Sequence, residues 1–279
     1  MNICLFAQEE IDRPLKASDS RAIHIKKILH KGAGDTFAAG IIGQSAGLAK
    51  ITSIGGNCSQ GQNAADDGAD GDIFFDYEAQ SDGKPLNPLH MIIGFPRPIQ
   101  LKRLLRDMAA LGVSSVRLCG TELGEKSYLK ARLSEPEEVY KMLLDGTVQA
   151  ASVHVPKPYV YPSLSACLDE IGGQDVLQGQ NEGALSKSDA SPKSAAPLLL
   201  ALDNVGAAQS LDSFLKDNPP AARPVFAAIG SERGWSPAER ALLEERGFVR
   251  LGMGSRIMRT ETAATVSASL ILSAMGVLD

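Results

Sequence analysis

The sequence predicts an α/β protein in which a mostly parallel sheet domain follows a small β-rich module. Three observations predict it. From residue 86 onward, short apolar runs alternate with segments of helical periodicity. Residues 1–80 instead hold short strand-like runs separated by turn signals, the pattern of a small barrel. With 279 residues, 44% of them hydrophobic, the chain suffices for one large domain or two modest ones, with a core that needs no disulfide or metal staple.

In the first module, Ser20–Leu29 reads as a short helix with Ile25, Ile28 and Leu29 on one face. Gly32–Asp35 is a turn, Thr36–Ile42 and Gly47–Ile54 are strands, and Ile73–Tyr77 is a closing strand. Gly55–Asp72 is rich in Gly, Asn, Asp and Ala and reads as an exposed loop. In the second part, Leu89–Gly94 is a buried strand. Ile99–Leu111 is a helix with Leu101, Leu104, Leu105 and Met108 at helical spacing and Gly112 as its stop. Val113–Cys119 is a strand, and Pro136 opens another helix. A low-complexity insertion at about 172–197 precedes strands at Leu198–Leu202 and Pro224–Ile229. Ser236-Pro237-Ala238-Glu239 is a capping box with proline at the first helical position, and Gly247 ends that helix. Phe248–Leu251 is the last strand and Thr260–Met275 the last helix.

Net charge is −5, but its distribution is uneven. Seven acids and no base lie between Gln62 and Asp82, so the rest of the chain is slightly basic. Lys16, Arg21, Lys26, Lys27 and Lys31 cluster in the first module. Nine Lys and Arg face six acids between Arg97 and Lys141. Such patches, rather than the net charge, govern polyanion binding.

Several chemistries are excluded or unsupported. The four cysteines are far apart and the four histidines lack metal-ligand spacing, so neither a disulfide framework nor a zinc site is expected. No GxSxG elbow or GxxxxGK[ST] loop is present. No basic, apolar leader opens the chain, and the Ser/Thr-studded tail is too short and polar for a membrane span. Two loops stand out. Gly230-Ser-Glu-Arg-Gly234 lies between a strand and a capped helix, where backbone approaches a ligand closely and the helix N-terminus favours negative charge. Leu251-Gly252-Met253-Gly254 also follows a strand. It is not a Rossmann loop, because the third glycine and the following strand with its acid are missing.

Ile229–Ser236 together with Leu251-Gly-x-x-x-Arg256-Ile-Met-Arg259-Thr-Glu-Thr-Ala263 resembles the uridine-N3 methyltransferases of small-subunit ribosomal RNA, within the SPOUT (α/β-knot) superfamily. Further similar segments are Arg21-x-x-His24-Ile25-x-x-Ile28-Leu29, Pro96-Arg97-Pro98, Glu125-Lys126-Ser127-Tyr128 and Val148-Gln149…Val155-Pro156. The family's usual Gly-Pro-Glu-Gly-Gly is here Gly230-Ser-Glu-Arg-Gly234, and its Ile-Leu-Arg carries Met258.

The resemblance implies a PUA-like β-barrel, RNA-binding domain over residues 1–80 and a knotted methyltransferase domain over 86–279. Its cofactor is S-adenosylmethionine, placed by the resemblance at Leu202, Gly230, Glu232, Gly234, Leu251, Gly252, Ile257, Met258 and Arg259. Arg259 and Glu261 are the candidate catalytic pair. Arg21, His24, Lys27 and Arg97 are the candidate RNA contacts. A cytoplasmic homodimer acting on ribosomal RNA or its precursor particle, with no metal and no membrane partner, completes the expectation. Two other classes fit the same residues: a knotted methyltransferase acting on another base or a ribose 2′-hydroxyl, and a non-catalytic RNA-binding or assembly protein.

Overall fold

The computed structural model describes residues 2–55, 71–173 and 196–278, which fall into two compact units. The expected loop at Gly55–Asp72 and the expected insertion at 172–197 lie almost wholly outside the described residues. Residues up to Pro85 and the segment 144–155 form the first unit, and 86–143 with 156 onward form the second. The segment 144–155 thus belongs with the N-terminal unit, which a division by chain position alone does not provide for.

The first unit contains β1 (Cys4–Phe6), α1 (Ser20–Lys27), β2 (Thr36–Ile41), β3 (Ala46–Gly55) and β4 (Asp72–Ser81). The sheet order is β1-β2-β3-β4, with β1 parallel to β2 and the other pairs antiparallel. Leu15, between β1 and α1, makes an antiparallel bridge to Ile73 on β4, the edge strand farthest from β1 in the sheet order. Alternating residues make this work: Phe37, Ala39 and Ile41 of β2 and Ala49 and Ile51 of β3 point into one core. Helix α1 starts because the Asp19 side chain accepts the Arg21 N–H, and it packs Ala22 and Ile25 into that core. The helix is shorter than its apolar spacing predicts. Ile28 is already the C-cap and is 64% exposed, and Leu29 is exposed too, so Ile25 alone of the expected face is buried. From the segment 144–155, Leu144, Val148 and Val153 pack with Ile3 and Leu5 into a smaller second core.

The second unit runs β5 (Asn87–Gly94), α2 (Pro98–Ala110), β6 (Val113–Cys119), α3 (Lys126–Leu129), α4 (Pro136–Gln149), β7 (Lys157–Tyr161) and α5 (Leu164–Gly173), the C-terminal end of α4 grouping with the first unit. It continues with β8 (Leu198–Leu202), β9 (Gln209–Ser210), α6 (Leu211–Asp217), β10 (Val225–Ile229), α7 (Pro237–Glu245), β11 (Val249–Gly252) and α8 (Thr260–Ala274). Seven parallel strands lie in the order β7-β6-β5-β10-β8-β11-β9. Apolar runs such as Val225–Ile229, buried throughout, suit a sheet covered on both faces. After β11, near one edge, the chain returns over the centre of the sheet. There α8 packs on α2, β5 and β10. Parallel strands aligned this way bring every β-to-α loop to one end of the sheet, the usual ligand end of α/β folds.

Candidate active site

A cavity of about 330 Å³ lies at that end, between the loops that follow β8, β10 and β11. The first loop contributes Leu202, Asp203 and Asn204, the second Ile229–Gly234, and the third Met253, Gly254 and Arg256–Met258. Thr260 and Ala263 of α8 close it.

Each loop has a local physical reason for its shape. The second is a tight turn closed by a bridge between Ser231 and Gly234. At Gly230 a Cβ would sit 2.7 Å from the Gly234 carbonyl carbon, and Gly234 itself has φ +73°. Ser236 then caps α7. Its hydroxyl accepts the Glu239 N–H, while Glu239 accepts the Ser236 N–H. Trp235, between turn and cap, is buried in the core and lines no part of the cavity. The first loop is pinned by Asp203, whose side chain is 1% exposed. It accepts from Arg240 Nε at 2.6 Å, from Arg250 Nη1 at 3.4 Å and from the Val205 N–H at 3.1 Å. The third loop turns at Gly254, φ +98°. It is then tied to the second, because the Thr260 hydroxyl donates to the Gly230 carbonyl at 3.3 Å.

Six of the nine expected cofactor residues line this cavity: Leu202, Gly230, Glu232, Gly234, Ile257 and Met258. Leu251, Gly252 and Arg259 do not. Leu251 is buried in the last strand, where its register partner on β8 is Leu202. Gly252 pairs with Ser210 of β9. Arg259 is the N-cap of α8; its side chain is exposed and makes no ion pair or hydrogen bond with a described residue. Glu261, in the first turn of α8, is 9% exposed and forms no ion pair with Arg259. The helix dipole favours a carboxylate at that position.

The expected RNA contacts have different fates. Arg21 is engaged inside the first unit: it donates to Asp19, Glu10 and the Leu5 carbonyl, and its guanidinium lies 4.8 Å from the centre of the Phe6 ring. His24 is half-buried, with Nε2 enclosed and unpartnered among the described residues, whereas Lys27 is exposed. Arg97 is exposed and pairs through Nε with Glu232 at 3.0 Å, which ties the loop before α2 to the cavity's second loop. Arg233 and Arg256 line the cavity from the two loops the sequence singled out, although neither was named as a cofactor residue; Asp203 and Asn204 were not named at all. The signal for Asp203-Asn204 was their place directly after a buried strand. Among the described residues no group of histidines, cysteines and acids is arranged to hold a metal ion, and no helix is long and apolar enough to cross a membrane.

Residues 83–272 match the family model described as an RNA methyltransferase domain. The chain is 36% identical over 276 residues to the ribosomal RNA small subunit methyltransferase E of Treponema pallidum (strain Nichols), covering 98% of this chain and 91% of that protein. It is 26% identical over 272 residues to the ribosomal RNA small subunit methyltransferase E 1 of Borreliella burgdorferi, covering 97% of both. Among solved structures, a ribosomal RNA small subunit methyltransferase E from Neisseria gonorrhoeae bound to S-adenosyl methionine superposes with a TM-score of 0.67 at 16% identity, over 98% of this chain and 97% of that one. The fold class is the one the resemblance implies: a small PUA-like barrel unit and a mostly parallel α/β domain of the SPOUT class.

Proposed function

Because the chain belongs to the RNA methyltransferase family, we propose that it transfers a methyl group from S-adenosylmethionine to N3 of a specific uridine in small-subunit ribosomal RNA. The observation that carries this reading is the three-loop cavity at the ligand end of the sheet. Its residue types suit the cofactor. Leu202, Ile229, Ile257 and Met258 offer apolar surface to an adenine, glycines allow close backbone approach, and Arg233 and Arg256 are cations suited to a carboxylate. When bound, S-adenosylmethionine supplies a methyl group already activated by its sulfonium.

The harder task falls to the protein. A uridine N3 proton has a pKa about two units above neutrality, so the anion costs roughly 3 kcal/mol at pH 7. Arg259, exposed at the N-terminus of α8 and unpaired among the described residues, is the candidate to stabilise charge developing on the uracil carbonyl oxygens. Glu261, two residues on in the same first turn, is the candidate to take the N3 proton. The exposed Lys27, with His24, offers RNA contacts on the first unit. The target base is presented outside its stack.

A homodimer fits the outward face of α8. Thr262, Val266, Leu270 and Ser273 recur there at helical spacing, all exposed, with Val266 at 36% and Leu270 at 38%. Small and apolar side chains of this kind permit close helix packing against a second copy. A cytoplasmic site of action follows from a ribosomal RNA substrate.

Calorimetry with S-adenosylmethionine tests the reading. The parent is expected to bind the cofactor, and Asn204→Trp, which fills the cavity mouth from an exposed loop position, is expected to lose it. A folded parent that binds none, with or without RNA, would overturn it.

A further inference from the structure

A second cavity of about 470 Å³ lies at the same end of the sheet, over the ends of β5, β6 and β7 and the first turns of α7. Its walls are built, not incidental. At Gly120 a Cβ would lie 2.3 Å from the Pro162 carbonyl oxygen, so glycine is what lets the ends of β6 and β7 close together. Phe95, Leu129, Leu164 and Leu242 give it an apolar lining. Thr121 also lines it, with a buried hydroxyl that has no partner among the described residues. That hydroxyl is enclosed against Gly124, so Thr121 meets the cavity through its other atoms.

The charges around it are unequal in availability. Three carboxylates line the cavity, but each is committed to the backbone or to a hydroxyl. Glu239 accepts from the N–H groups of Ser236 and Glu122, both at 2.9 Å. Glu122 accepts the Ser236 hydroxyl, and Glu125 the Ser127 N–H. Lys126 and Lys130 line the same space, are exposed, and pair with no described residue. The three carboxylates keep their charge and outnumber the two ammonium groups, but their oxygens are occupied by backbone and hydroxyl donors, whereas Lys126 and Lys130 are exposed and free to meet a phosphate. The two cavities are also near neighbours. A Cβ on Gly94 would lie 2.4 Å from Ser231 N, in a loop of the first cavity, and 2.9 Å from Thr121 Cγ2, in the second.

We propose that this second cavity takes one nucleotide of the substrate RNA next to the methyl acceptor, its base against the apolar lining and its phosphates at Lys126 and Lys130. Its identity as RNA rests on the methyltransferase reading above. Single-stranded RNA is commonly held in this way, by splayed bases packed on apolar or aromatic side chains and cations along the backbone. A cavity of this size accommodates a nucleobase with room for its sugar.

The test measures RNA binding as a function of salt, separately from cofactor binding, for the parent and two variants. Lys126→Gln/Lys130→Gln removes two phosphate contacts and is expected to flatten the log–log salt slope by about 1.4, at about 0.7 per phosphate for a single strand. Ala238→Trp fills the cavity from an exposed position on α7 and is expected to weaken RNA binding at least tenfold. Both variants should bind S-adenosylmethionine as the parent does. Parent-like RNA affinity in Ala238→Trp, or a parent-like salt slope in the double variant, would overturn the proposal. Failure of the methyltransferase reading is distinct: the parent would bind no cofactor, whatever the variants do to RNA.

Discussion

Replacing Asp203 by alanine removes the anchor of the cavity's first loop. The carboxylate, 1% exposed, holds two guanidinium groups and one backbone N–H, while Arg240 and Arg250 retain 19% and 22% side-chain exposure. Breaking a fully buried ion pair by removing one partner costs about 3–5 kcal/mol. Here the two arginines reach solvent, and Arg250 keeps Glu244 at 2.6 Å, so the cost is lower, about 2–3 kcal/mol. Asp203→Asn keeps an acceptor for the Val205 N–H and should lose about half as much. The assay is urea unfolding, run beside calorimetry with S-adenosylmethionine. Because Asp203 and Asn204 line the cavity, Asp203→Ala should also weaken the cofactor at least tenfold. An Asp203→Ala protein within about 0.5 kcal/mol of the parent would refute the view that this buried cluster sets the loop.

Arg259→Ala should lower kcat on ribosomal RNA by about 10²–10³ with cofactor affinity unchanged, since Arg259 does not line the cofactor cavity; single-turnover kinetics with saturating cofactor checks this. Gly230→Ala puts a methyl group 2.7 Å from backbone and should cost about 1–3 kcal/mol in unfolding experiments along with cofactor affinity. His90 gives a pH signature. Burial, helped by the nearby Arg117 charge, depresses its pKa to about 4 from the ordinary 6.5, while the ring stacks on Phe226 at 4.5 Å. The unfolded chain then takes up a proton between pH 6.5 and 4 that the folded protein does not, so stability falls as pH drops through that window, by up to about 3 kcal/mol at its lower end. Urea midpoints at pH 7 and pH 4.5 should fall further for the parent than for His90→Gln.

Much of the fold was legible because the second unit obeys simple periodicities. Leu101, Leu104, Leu105 and Met108 mark α2, Val225–Ile229 marks a strand buried on both faces, and Ser236 with Glu239 marks the start of α7. The elements not anticipated are short or weakly patterned. β1 and β9 hold three and two residues, and Pro158 interrupts the apolar run of β7. Helix α5 did carry a signal, with Leu164, Cys167, Leu168 and Ile171 at helical spacing and all buried. The site was legible where a motif is local, as at Gly230–Gly234. It was not where function depends on distant partners. Nothing local to Asp203 announces Arg240 and Arg250, and nothing local to Arg21 announces Glu10, which with Asp19 commits that guanidinium to the first unit's own structure. The second cavity was invisible for the same reason, being assembled from the ends of three strands and from α7.

The central claim is most directly tested by nucleoside analysis of small-subunit ribosomal RNA, lacking the modification, after incubation with the protein and S-adenosylmethionine. The account predicts N3-methyluridine as the new nucleoside, formed at one position and lost with Arg259→Ala. Methylation at another base atom or at a ribose 2′-hydroxyl would contradict the uridine-N3 assignment. No methylation of either naked RNA or the precursor particle would contradict the catalytic reading as a whole.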